Sequence, residues 1–148
     1  MIEQEIHDVI IALAKALQNR DYDSFLSYFD SDAVFEIPFT VNGGTIINGL
    51  SKIKEHFENV RQSPLTKLIE IAEVKPQIFY SNNGESVVVE YFTKGKSLNT
   101  NETFEIQSSI AVISFNENAI IHYKDFPNTL GIAKKAEVLA QLAATWAK

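Results

Sequence analysis

The chain opens with a helical period. Ile2, Ile6, Val9, Ile10, Leu13 and Leu17 recur every three or four residues, with Glu3, Glu5, Asp8 and Lys15 between them. That spacing predicts an amphipathic helix with one buried stripe. "NRDYD" breaks the pattern. Asp21 is placed to cap a short second helix whose apolar side is Tyr22, Phe25, Leu26 and Phe29. "DAVFEIPF" then reads as a strand that Pro38 stops or confines to an edge. "VNGGT" reads as a hairpin-type turn. A third helix starts after Gly49, carries Leu50, Ile53, Phe57 and Val60 on one face, and ends before Pro64.

After this point the period shortens. "TKLIEIAEVKPQIFY", "ESVVVEYFTKG", "TFEIQSSIAVISF" and "IIHYKDF" are rich in β-branched and aromatic residues and are separated by "SNNG", "KSLNTNE" and "NENA". They predict a four-stranded meander. A last helix is expected from about Gly131, with Ile132, Ala136, Leu139, Leu142 and Trp146 as its stripe. Helices followed by an antiparallel meander define an α+β class, with helices packed on one face of a curved sheet.

Composition narrows the function classes. The 148 residues suit one domain over 1–148, with a core at 3–130 and a helical extension at 131–148. The net charge of −6 and the lack of a basic run argue against nucleic acid as a partner. There are no cysteines, which excludes thiolate nucleophiles and Cys-based metal sites. The N-terminus is acidic where a secretory signal is basic, and no apolar run reaches the ~20 residues that span a bilayer. A soluble, cytoplasmic protein is expected.

The ordered set "LQNRDYDSFLSYFDSDAVFEIPF", a glycine before the third helix, "VVVEYFTKG" and "AIIHYKDFPN" resembles the SnoaL-like, polyketide cyclase-like branch of the nuclear transport factor 2-like superfamily. The resemblance covers roughly residues 3–130. It implies a cone-shaped α+β fold with three N-terminal helices on the concave face of the sheet and an apolar pocket between them. It also implies a homodimer through the outer face of the sheet, for which Ala111 and Ile113 are apolar candidates. The fold hosts unrelated chemistries, so activity has to be argued from the site.

Alternation along the last strand aims Tyr123 and Asp125 to one face and His122, Lys124 and Phe126 to the other. A two-residue turn at Glu117 and Asn118 would set Val112 opposite Tyr123 and Ile110 opposite Asp125, making that face apolar. An aspartate there is desolvated, its pKa rises, and it suits general-base work near neutral pH. The resemblance gives the acid of this motif, here Asp125, the role of pocket acid. Against that stands an Asp that only caps the next turn. Tyr123 orients a ligand or fills the cone with its hydroxyl satisfied internally. His56 lies beside the Ile53 and Phe57 stripe and borders the pocket or packs at its edge.

Other family chemistries lack their parts here. Ketosteroid isomerases of the superfamily place their base just before the equivalent of Pro38 and their oxyanion tyrosine near the equivalent of Leu13, whereas this chain has Ile37 and Leu13. Epoxide hydrolases bridge two acids with an arginine, and neither Arg20 nor Arg61 falls on a strand. Lys94 is a less apt cation because it lacks the guanidinium fork. Glu90 is a second pocket acid or an outer-face charge. His7, His56 and His122 are too scattered for a metal site, and no cofactor motif is present. The expected ligand is a small apolar molecule, handled by isomerase, cyclase or lyase-type proton transfer at Asp125. The competing reading is a non-catalytic ligand-binding or dimerisation domain with a filled cone.

Overall fold

The structure is a computed structural model describing residues 1–148. The expected first helix, α1, spans Glu3–Gln18 and buries Ile6, Ile10, Leu13 and Ala14. At its start the Glu5 carboxylate accepts from the Ile2 backbone N–H at 3.3 Å. Helix α2 (Tyr22–Leu26) is capped as its sequence predicts: Asp21 accepts from the Ser24 N–H at 3.1 Å and from its hydroxyl at 2.7 Å. Strand β1 (Phe29–Ile37) turns back through the expected turn into a short strand, β2 (Thr45–Asn48), that the sequence pattern does not announce. Gly49, at φ 91°, swings the chain from β2 into α3 (Leu50–Gln62), and Pro64 opens the single turn α4 (Pro64–Lys67).

Four long strands follow: β3 (Ile69–Tyr80), β4 (Ser86–Ser97), β5 (Thr103–Asn116) and β6 (Ala119–Pro127). The sheet order is β2-β1-β6-β5-β4-β3. The meander is antiparallel as expected, but β1 lies parallel to β6, because the helices and meander between them carry the chain back to that edge. The helices cover one face of this curved, unclosed sheet. A contiguous core of 22 buried side chains runs from α1, α2 and α3 onto the inner face of the strands.

Three extra residues bend the sheet. Ala72 interrupts the β3–β4 ladder, Ser108 the β4–β5 ladder and Ile121 the β5–β6 ladder. The last one corrects the predicted register. The turn at Glu117 and Asn118 forms as expected, with both residues at positive φ, and Asn116 faces Ala119. Beyond Ile121 the pairing slips by one, so Tyr123 faces Ile113 and Asp125 faces Ala111. Ile113 and Ala111 are therefore buried on the inner face and not apolar outer-face residues. Val112 and Ile110 pair with Lys124 and Phe126 instead, on the outer face.

The C-terminal helix is also broken. Helix α5 (Thr129–Lys135) is capped by Asn128 and buries Ala133; Ala136 just beyond it is buried too. Glu137 then takes φ 60°, and α6 (Leu139–Trp146) leaves with no buried residue. The expected stripe is thus split: Ala136 packs inward, Ile132 reaches the cavity described next, and Leu139 and Trp146 stay exposed.

Candidate functional site

Between the helices and the inner face lies a cavity of about 290 Å³. That is near the ~300 Å³ lower end for small-molecule sites. Most of its lining is apolar. Phe25, Phe35 and Phe57 form one wall, and Val74, Phe104, Ile106 and Ile132 of α5 add to the lining. The aromatic wall is tightly cross-packed. Phe35 stacks on Tyr123 at 5.2 Å and meets Phe57 edge-on at 5.3 Å, while Phe25 touches both Phe57 and Tyr123. Such offset and edge contacts fix ring orientation.

Asp125 and Tyr123 both face this cavity, as strand alternation predicts. Burial pushes the Asp125 carboxyl up to about 7, and no hydrogen bond or neighbouring cation pulls it back. Tyr123 is buried and donates to the Tyr91 hydroxyl at 3.2 Å. Burial raises the pKa of both phenols, and the nearby Asp125 charge raises them further. Tyr91 went unsingled in the sequence; its signal was the alternation of "VVVEYF", once an inner face is assigned. With the Tyr123 hydrogen committed, the Tyr91 hydrogen remains available to an oxygen in the cavity.

The bulge at Ser108 places two consecutive residues, Ser108 and Ser109, on the cavity lining. Thr93 donates to the Ser108 hydroxyl at 2.7 Å, and Ser108 donates to the Tyr91 carbonyl at 3.2 Å. Bulges commonly re-aim side chains in this way. Arg20 also lines the cavity, although it lies on no strand.

The other expected site residues lie elsewhere. Val112 and Ile110 leave the cavity through the register slip. His56 packs between Phe35 and Phe57 behind the cavity wall, and desolvation lowers its pKa. Glu90 is an outer-face charge that accepts from Gln107 at 2.8 Å. Lys94 reaches Glu73 at 3.9 Å on the outer side and does not serve the pocket. His122 faces outward, 3.0 Å from Glu36 across the β1–β6 pair. Leu13 is fully buried core.

A helix-covered curved sheet enclosing an apolar pocket with one desolvated acid defines a class. The SnoaL-like domain family matches residues 10–123, and the chain belongs to that family. It is 28% identical over 119 residues to the uncharacterized protein YesE of Bacillus subtilis (strain 168), covering 79% of this chain and 76% of that one. Its fold is similar to a Bacillus subtilis protein known as a "Putative Isomerase", at TM-score 0.74 and 23% identity over 93% of this chain and 97% of the other. It is likewise similar to a "putative polyketide cyclase" of Xanthomonas campestris pv. campestris, at TM-score 0.66 and 13% identity over 90% and 97%. At these identities the solved structures speak to the fold. No helix is long and apolar enough to cross a membrane.

Proposed function

We propose that the protein binds a small, largely apolar carbonyl compound in this cavity and that Asp125 moves a proton on it. The observation that carries this reading is a carboxyl group on an apolar-walled cavity, raised to about 7, with no partner in the protein. Its ionised form takes a proton from a carbon beside the carbonyl. The Tyr91 hydroxyl donates to the oxygen where negative charge then builds, and the Tyr123 bond holds that phenol in place. Returning the proton to a different carbon completes an isomerisation; loss of a leaving group, or attack on a second carbonyl, completes a lyase or cyclase step. The cyclase and isomerase names of the fold relatives agree with this chemistry.

The test is a carboxyl-carbon NMR titration with Asp125→Asn as the assignment control. The reading requires a midpoint near 7. A midpoint at or below the ordinary ~3.9 removes the base. Turnover would rise with pH through the same midpoint, and Asp125→Asn would lower kcat by about 10²–10⁴-fold.

A further inference from the structure

Resting on that reading of the cavity, we infer that the ligand is a planar aromatic acid whose carboxylate is held by Arg20, with its ring system against the Phe25, Phe35 and Phe57 wall. Arg20 lines the cavity but takes part in no ion pair. Arg61, the other arginine, is by contrast held 3.1 Å from Glu58. Arg20 is partly buried and fixed: one guanidinium nitrogen donates to the Ile69 carbonyl at 2.6 Å. The residue sits at φ 52°, in the left-handed region that non-glycine residues avoid, directly after α1. One anchored nitrogen leaves the other donors of the fork unused, and an unpaired guanidinium beside an apolar cavity is matched by a bidentate carboxylate.

The charge count of the cavity agrees. Its ionisable lining consists of Arg20, Asp125 and three tyrosines, Tyr22, Tyr91 and Tyr123, whose pKa values are all raised by burial. Arg20 is the one cationic side chain among them, and it forms an ion pair with neither Asp125 nor any other acid. A ligand carboxylate supplies the partner that the protein does not.

Position sets the shape of the ligand. Arg20 is tied to the start of β3, whereas Asp125 lies on β6, three strands away in the sheet. The ladder also carries Asp125 through Ala111 and Val89 to Ile78 of β3, nine residues from Ile69, so anchor and acid are offset along the strands as well as across them. A ligand that reaches both carries its acid at one end and its reacting carbon at the other. The rings of Phe25, Phe35 and Phe57 line the same cavity and offer it flat apolar faces.

The experiment compares naphthalene-2-carboxylate with its neutral isostere, naphthalene-2-carboxamide, by NMR titration of the full chain. Wild type should bind the acid about ten-fold or more tighter than the amide, as a charge-assisted bond implies. Arg20→Gln, which keeps a donor for the Ile69 carbonyl, should abolish the preference and leave amide binding in place. Arg20→Lys should retain part of it. Asp125→Asn should keep the preference, which separates anchoring from proton transfer. Equal binding of acid and amide to wild type overturns the inference. So does a preference that survives Arg20→Gln, or no saturable binding of the acid at millimolar concentration. None of these outcomes bears on the Asp125 titration.

Discussion

Asp125 carries a cost in stability. Its folded pKa, about 7, lies above the unfolded value of ~3.9, so the folded state holds its proton where the unfolded state has lost it. Below pH ~4 both states are protonated and the group contributes nothing to pH dependence. Between pH ~4 and 7 stability falls as pH rises, and above 7 the loss is complete. Asp125→Asn, uncharged throughout, should therefore gain on wild type by roughly 2–4 kcal/mol on going from pH 4 to pH 8. Urea unfolding of both proteins at the two pH values checks this, and a constant difference would contradict it. The sequence already carried the shared direction of Tyr123 and Asp125, because strand alternation is a two-residue rule. It could not carry their neighbours, because Ile121 inserts a bulge that no local pattern announces. Arg20 was set aside for lying off the strands, yet a residue at a helix end can reach a cavity as well as a strand residue can.

At the scale of elements, long periodic segments were legible and their irregularities were not. The stripe of α1, the cap of α2, the stop before Pro64 and five of the six strands follow from spacing and from residues with fixed backbone preferences. Strand β2 was missed because "TIIN" is short and two of its four residues are polar; its pairing with β1 supplies what its own sequence does not. The break after α5 escaped notice because Ile132, Ala136, Leu139, Leu142 and Trp146 keep a helical spacing across it. Gly95 is an element-level constraint of another kind. It lies in β4 opposite the bulged stretch of β3, where a Cβ would come within 2.6 Å of the Glu70 carbonyl and 3.0 Å of the Phe104 ring. The ring can turn, but the carbonyl belongs to the ladder and cannot move without opening it. Gly95→Ala should cost roughly 1–3 kcal/mol in urea unfolding, as overpacking does. No loss would mean that the bulge at Ala72 yields freely.

The whole molecule leaves one broad surface to account for. The outer face of the sheet carries a cross-strand row of Phe79, Val88, Val112 and Lys124, and beside it Gln77, Glu90, Ile110 and Phe126. Phe79 and Val88 are 48% and 36% exposed, so water meets apolar side chains over adjacent strands. A contiguous apolar patch of this kind on one face is where soluble proteins associate. Its polar members are Glu90, whose carboxylate accepts from Gln107 within the patch, and Lys124 at the β6 end of the row. The expected outcome is a homodimer through this face, built from Val88, Ile110 and Val112 and not from the inward-facing Ala111 and Ile113. Light scattering at micromolar concentration should give twice the 16.6 kDa chain mass. Val112→Lys lies on the outer side, where a lysine disturbs no core contact, and should yield a folded monomer with an unchanged far-UV spectrum. A monomeric wild type would refute the dimer. A dimeric Val112→Lys would move the interface elsewhere, with the exposed Leu139 and Trp146 of α6 as the next apolar surface to mutate.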